Sequence, residues 1–137
     1  MADDDVLLRL LTETRTWAVV GWSPRPDRAS HEVAAFLRAH GKRVLPVNPN
    51  CVGHDAGLDA PVVATLDDIA EPVDVVDVFR RSSQAGAVAD DAVRIGAKAV
   101  WMQLGVVDGP AAERAEGAGL DVVMDRCPAI EWPRLVG

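Results

Sequence analysis

Apolar positions along the chain alternate between short continuous runs and stretches with helical spacing. The continuous runs are rich in valine, which predicts strands that are buried on both faces of a parallel sheet. Five such strands are expected: Thr16–Trp22, Arg43–Val47, Val73–Phe79, Lys98–Met102 and Leu120–Met124. Because helical segments separate them, the pattern predicts a doubly wound α/β fold with helices on both faces of the sheet.

Capping signals set the expected helix boundaries. A first helix is predicted around Val6–Leu11, as an N-terminal extension over residues 1–13 of one domain that covers residues 1–137. Ser30 is the expected N-cap of the second helix, and Gly41 follows its end. The third helix is expected from Ser82 or Ser83 through Ile95, and the fourth from Pro110 through Ala118. The pattern assigns no element to residues 128–137.

The expected sheet is Rossmann-like, with its strands in the order 3-2-1-4-5 when they are numbered along the chain. In that order the first and fourth strands lie side by side, and the direction of winding reverses between them. Ligands of such sheets bind beyond the carboxyl ends of the strands at this reversal. Residues that follow the strands are therefore the candidate site residues.

The loop after the first strand departs from the dinucleotide-binding fingerprint G-x-G-x-x-G. The corresponding residues, 21–26, read GWSPRP, so only the first glycine is present. The acidic residue that holds a ribose hydroxyl after the second strand is replaced by Asn48. Both departures disfavour NAD as the ligand.

Arginines cluster at the expected strand ends. Arg25 follows the first strand, Arg80 and Arg81 follow the third, and Arg126 follows the fifth. With the N-terminus of the second helix, they suit a phosphorylated ligand. The alternative interpretation is that these are ordinary solvated loop residues.

The overall charge limits the classes of partner. The formal net charge is −7, which argues against nucleic acid as a ligand, although half of the 14 basic residues lie within residues 25–43 and 80–81. No apolar run is long enough for a membrane span, and the acidic N-terminus does not resemble a secretory signal. With only two cysteines, the chain is expected to be cytoplasmic.

The sequence offers no clear catalytic or metal centre. The three histidines, His31, His40 and His54, form no arrangement with a serine and an aspartate that can be argued from spacing. Cys51 and Cys127 lack the spacing of metal ligands, and a buried, inert thiol is the simpler interpretation of Cys127. Trp101 is expected in the core.

Four stretches together resemble the small CoA-binding domain proteins of bacteria, which are similar to the N-terminal CoA-binding domain of the succinyl-CoA synthetase α subunit. They read VVGWSPRPDRASHEVAAFLRAHGKRVLPVNP, EPVDVVDVFRRS, GAKAVWMQLGV and AGLDVVMDRCPAIE. The synthetase carries its phosphorylated histidine in a second domain, whereas residues 1–137 are expected to form the CoA-binding domain alone. The resemblance therefore implies CoA binding and not ligase activity.

The resemblance also implies roles by position. The loop after the first strand would face the phosphates, the turn after the second would border the nucleotide, and the turn after the fourth would border the pantetheine. The third strand end would contact adenine or phosphate. The implied CoA-binding residues are Gly21, Trp22, Ser23, Pro24, Arg28, Asn48, Pro49, Val78, Phe79, Arg80, Arg81, Gln103 and Gly105.

Three functional hypotheses follow. The first is a protein that binds CoA or acyl-CoA without catalysis of its own. The second is an enzyme or enzyme subunit that acts on a CoA thioester, with a partner chain supplying the chemistry and with Cys127 or His31 involved. The expected partners are a small CoA ligand and either another protein or further copies of this chain. The third is a redox or regulatory module in which Cys51 or Cys127 forms a mixed disulfide with CoA.

Overall fold

The computed structural model describes residues 2–137. Five strands alternate with helices along the chain. The strands are β1 (Thr16–Val20), β2 (Arg43–Val47), β3 (Val75–Val78), β4 (Ala99–Met102) and β5 (Asp121–Val123). The helices are α1 (Asp4–Glu13), α2 (Ala29–Ala39), α3 (Ser82–Arg94), α4 (Gly109–Gly117) and α5 (Pro128–Leu135), and a short 3₁₀ helix covers Leu66–Asp68.

All five strands form one parallel sheet, which confirms the Rossmann-like α/β fold. Their order, however, is β2-β1-β3-β4-β5, so β3 lies between β1 and β4 and not at the outer edge of β2 as the sequence suggested. The reason lies in the segment after β2, which contains only the 3₁₀ helix. Val63 in that segment bridges to Val47 and covers the outer edge of β2, and the chain then returns across β1.

This order moves the reversal of winding to the gap between β1 and β3. With right-handed crossovers, α2 lies on one face of the sheet, and α3 and α4 lie on the other. Helices α2 and α3 both begin at the carboxyl edge, on opposite sides of the gap. The fold therefore brings two helix N-termini toward one crevice.

Each face of the sheet has its own apolar core. Val76, Val78 and Val100 belong to the core shared with α3 and α4. The alternate strand residues belong to the core shared with α1, α2 and α5, where Trp17 and Trp101 lie with their ring centroids 5.6 Å apart. The expectation that Trp101 is a core residue is confirmed.

The C-terminal tail forms α5, an element that the sequence pattern did not predict. Its first residue is Pro128, a position that tolerates proline because the N–H group there needs no partner in the helix. Arg134 in its last turn joins Glu131 at 2.6 Å and Asp4 of α1 at 2.7 Å. The tail thus depends on contacts with the far end of the chain, which periodicity alone cannot reveal.

Candidate ligand-binding site at the carboxyl edge of the sheet

An open pocket of about 350 Å³ lies at the carboxyl ends of β1, β2 and β3, where the direction of winding reverses. It is bordered by the loop after β1, the first turn of α2, and the ends of β2 and β3. Its lining residues are Gly21, Ser23, Arg25, Arg28, Ala29, Ser30, Asn48 and Phe79.

Gly21 allows three strand ends to meet at the floor of this pocket. Its N–H group donates to the carbonyl of Val47 at 2.8 Å, and its φ of +93° lies in a region that disfavours other residues. A Cβ atom added here would lie 2.5 Å from the carbonyl oxygen of Phe79. A glycine is therefore needed at the first position of the fingerprint, because the backbones at the ends of β1 and β3 approach each other closely there.

Local hydrogen bonds order the loop that follows. The backbone N–H of Arg25 donates to Ser23 Oγ at 3.2 Å, and the Arg25 guanidinium forms two bonds to the Asp27 carboxylate. His31 Nδ1 lies 3.0 Å from the Ser23 carbonyl oxygen. The side chain of Trp22 is 1% exposed and belongs to the core, so it anchors the loop and does not line the pocket.

Asn48 links the loop after β1 to the turn after β2. It is buried, its Nδ2 donates to the carbonyl of Trp22 at 2.8 Å, and its Oδ1 accepts from the N–H of Asn50 at 2.9 Å. Asn48 borders the pocket while its amide is already engaged. Pro49 beside it is exposed.

Three arginines around the crevice have no acidic partner. Within residues 2–137, the side chains of Arg28, Arg80 and Arg81 form no ion pair or hydrogen bond, whereas arginines on other surfaces do, such as Arg114 with Asp90, with the exception of Arg15. Arg28 lines the pocket, and Arg80 and Arg81 directly follow Phe79. Unpaired positive charge is thus concentrated at this edge of an acidic chain.

The helices that begin at the crevice also lack side-chain caps. Arg28 is the N-cap of α2 and Arg81 is the N-cap of α3, and neither side chain bonds to the first turn. By contrast, Asp3 caps α1 and Asp108 caps α4 with carboxylate oxygens. A cation at a helix N-terminus is unfavourable, whereas an anion is stabilised there. Both helix starts therefore present free N–H groups and positive charge to the crevice.

The second helix begins two residues earlier than its sequence predicts. Ser30 was expected as its N-cap, but α2 begins at Ala29, and Ser30 lies in the first turn, where it is buried and lines the pocket. The helix predicted between Ser30 and Gly41 is present, but its N-cap is Arg28 and not Ser30. The pocket role of Ala29 and Ser30 could have been inferred from their place in the first helical turn.

Several of the predicted residues do not line this pocket. Val78 is fully buried, and Gln103 is 5% exposed with its Nε2 donating to Asp77 Oδ1 at 3.0 Å. Gly105 is exposed, and its N–H donates to Asp125 Oδ1 at 2.7 Å. Pro24 and Arg81 are exposed, and Arg80 is half-buried. The structure therefore brings five of the predicted residues to the pocket, namely Gly21, Ser23, Arg28, Asn48 and Phe79. The other predicted residues are buried in the core or lie outside the pocket lining.

The thiol of Cys127 lies at the start of α5 and is not activated. Burial raises its pKa, and the N–H groups of Ile130 and Ala129 only partly oppose this effect. A thiol with a raised pKa is a poor nucleophile at neutral pH, because the thiolate is the reactive form. Both cysteines are buried and free.

These features define a class of protein, a Rossmann-like α/β protein with a polar pocket at the reversal point of its sheet. Residues 15–133 match the family described as CoA binding domain, and the chain belongs to this family. The resemblance noted in the sequence is confirmed, and membership supports association with CoA. Within residues 2–137, no helix is long and apolar enough to cross a membrane.

Three relatives illustrate the match. The uncharacterized protein YneT of Bacillus subtilis (strain 168) is 38% identical over 118 residues, which cover 86% of this chain and 85% of YneT. A hypothetical protein from Pyrococcus horikoshii OT3 is 33% identical with a TM-score of 0.91, and the match covers 99% of this chain and 94% of that one. Dinucleotide forming acetyl-coenzyme A synthetase 1 of Candidatus Korarchaeum cryptofilum is 25% identical with a TM-score of 0.69, and the match covers 85% of this chain but only 27% of that one.

Proposed function

We propose that this chain binds coenzyme A, free or acylated, in the crevice between β1 and β3 and performs no chemistry by itself. One observation carries the proposal: two uncapped helix N-termini and three unpaired arginines lie at the carboxyl edge of the sheet in a chain whose net charge is −7. Of these, Arg28 and the first turn of α2 line the pocket itself. Such an arrangement stabilises a compact anion with several charges, which matches the phosphates of CoA.

The phosphates would lie over Gly21 and the first turn of α2, within reach of Ser23 and Arg28. The adenosine would lie toward the turn after β2, with Asn48 and Pro49 at its border. The half-buried ring of Phe79 offers a flat apolar surface for the adenine. The acidic residue that would bind a ribose hydroxyl of NAD is absent, so the donor set favours CoA over NAD.

The pantetheine arm would extend across the ends of β4 and β5, along the turn that contains Gln103 and Gly105. Ser82 Oγ holds this turn by accepting from the N–H of Val107 at 2.9 Å and donating to the carbonyl of Gly105 at 3.3 Å. A turn that is fixed before binding lowers the entropy lost when the ligand binds. The raised pKa of Cys127 disfavours a covalent role for this thiol.

Replacing Arg80 or Arg81 by alanine is expected to weaken CoA binding by roughly 10- to 100-fold, because a hydrogen bond to a charged group contributes about 1.5–3 kcal/mol. The Arg28→Ala variant should lose affinity to a similar degree. Isothermal titration calorimetry with CoA at constant ionic strength measures the effect. Each variant should also show a weaker dependence of affinity on salt concentration.

Arg38→Ala is the matched control, since Arg38 lies on α2 about 14 Å along the helix axis from its first residue and pairs with Asp59. It should bind CoA as the wild type does. Equal affinities in all four variants would move the anion site elsewhere. Tighter binding of NADH than of CoA, or no CoA binding at millimolar concentration, would overturn the proposed function.

A further inference from the structure

A fully buried carboxyl group lies beneath the candidate site. Asp77 is in β3, the central strand of the sheet, and none of its surface is exposed. Side chains alternate along an extended chain, so Asp77 points to the same face of the sheet as Phe79. Phe79 directly follows β3 and lies about 7 Å further along the chain. Because Phe79 lines the pocket, Asp77 lies one step deeper below it.

This carboxyl group has no cation to balance it. Gln103 Nε2 donates to Asp77 Oδ1 at 3.0 Å, and Asp77 Oδ2 has no hydrogen-bond partner among residues 2–137. The neighbouring residues in the sheet are Val19 on β1 and Trp101 on β4. An isolated carboxylate in such surroundings is strongly disfavoured, whereas the neutral acid is tolerated.

The helices on this face supply little that could compensate. Helices α1 and α2 contribute apolar side chains to this core, such as Leu11 and Val33. Helix α5 contributes Cys127, whose pKa is raised chiefly by burial and further by the nearby charges of Asp77 and Glu131. The only influences on Asp77 itself are burial and Gln103, and burial prevails, raising its pKa to about 8. Asp77 is therefore neutral at pH 7 and about half ionised at pH 8.

We propose that Asp77 couples the binding of a polyanionic ligand in the crevice to the protonation of its own carboxyl group. This inference rests on the proposed function, which places phosphate groups above β3. Negative charge placed there disfavours the Asp77 carboxylate, so binding favours its protonated form. Linkage is reciprocal, so protonation of Asp77 must also favour binding. The proton comes from the buffer and forms an O–H bond on Asp77, with no other bond made or broken.

Calorimetric titration with CoA at pH 8.0, in two buffers that differ in their enthalpy of ionisation, measures the number of protons taken up. The wild type is expected to take up as much as half a proton more per CoA than the Asp77→Asn variant. The amide of this variant matches the shape and neutrality of the protonated acid. If binding raises the pKa of Asp77 by one unit, wild-type affinity should fall about fivefold between pH 7 and pH 9 relative to the variant.

Asp5→Asn is the matched control, because it makes the same replacement of a carboxyl group by an amide at an exposed position in the first turn of α1. It should take up protons as the wild type does. Equal proton uptake by the wild type and Asp77→Asn would overturn the inference, since the proton would then belong to CoA or to another residue. Absence of CoA binding at every pH would instead overturn the proposed function.

Infrared difference spectroscopy tests the same inference without any variant. Addition of CoA to the wild-type protein at pH 8.0 should increase the absorption of protonated carboxyl groups and decrease that of carboxylates. Addition at pH 6.0, where Asp77 is already neutral, should produce no such change. If binding occurs at pH 8.0 without a gain in protonated carboxyl signal, the inference is wrong.

Discussion

The Asp77→Asn variant is expected to gain stability relative to the wild type as the pH rises from about 4 to 8. Burial raises the pKa of Asp77 in the folded protein to about 8, whereas its value in an unfolded chain is 3.8. Between these values the folded state retains a proton that the unfolded state has released. Wild-type stability therefore falls with increasing pH across this window, by up to about 1.4 kcal/mol per pH unit.

Between pH 4 and pH 8, the difference in unfolding free energy between the variant and the wild type changes by an amount on the order of 5 kcal/mol. This is a large part of the stability of a domain of this size. Below pH 4 both states of the wild type are protonated at Asp77, so this difference disappears. Urea unfolding of both proteins at pH 4, 6 and 8 measures it. A difference in unfolding free energy that stays constant with pH would show that Asp77 is ionised in the folded protein at neutral pH.

Asp74→Asn is an informative control because its effect has the opposite sign. Burial by itself would raise the pKa of Asp74, but the N–H groups of Thr16 and Arg15, together with Lys98, lower it below 3.8. Asp74 therefore stabilises the fold above the pKa of the unfolded chain, and this contribution is lost as the pH falls through the folded value. Asp74→Asn should destabilise the protein at pH 7, and its effect should shrink as the pH falls below 3.8.

Gly21→Ala is expected to destabilise the protein by roughly 2 to 5 kcal/mol. Two causes combine. The φ of +93° costs about 1 to 3 kcal/mol for a residue with a side chain. In addition, the new methyl group would lie 2.5 Å from the Phe79 carbonyl oxygen, which belongs to backbone and cannot rotate away. The ends of β1 and β3 would have to separate, and the floor of the pocket would change.

Gly41→Ala separates the two causes. Gly41 has a similar φ of +88°, yet no atom lies within 4 Å of the position of an added Cβ. It should show only the conformational cost, and it lies at the opposite end of α2 from the pocket. Thermal or urea unfolding compares the two variants. If Gly21→Ala is no more destabilising than Gly41→Ala, β1 and β3 do not approach each other as closely as described.

The elements of the fold could largely be predicted because their signals are local. Valine-rich runs mark strands that are buried on both faces, and Gly41 marks the end of α2 by a backbone conformation that glycine adopts readily. Two expectations failed, one for a local reason and one for a long-range reason. Ser30 is a good N-cap by residue type, but Arg28 occupies that position. Helix α5 was missed because Pro128 and Pro133 suggest an irregular tail, whereas contacts of Arg134 with α1 stabilise a helix.

The candidate site could be predicted only in part. Position at a strand end selected Ser23, Asn48 and Phe79, the fingerprint selected Gly21, and the resemblance selected Arg28. The structure places all five along one pocket, because parallel strands end at one edge of the sheet. Val78 was included through the resemblance, but it is fully buried in the core shared with α3 and α4. The burial of Trp22 could not be inferred, since a loop residue has no periodicity to show which way it points.

The sequence by itself determined the α/β class, the identity of all five strands and the presence of excess arginine at their carboxyl ends. The tertiary structure alone decided the strand order, and with it which helix starts meet at the crevice, because the return of the chain after β2 depends on the distant pairing of Val63 with Val47. It also decided which arginines have no acidic partner, and that no cation lies beside the carboxyl group of Asp77. Pairing and burial are relations between residues far apart in the chain, and no local pattern encodes them.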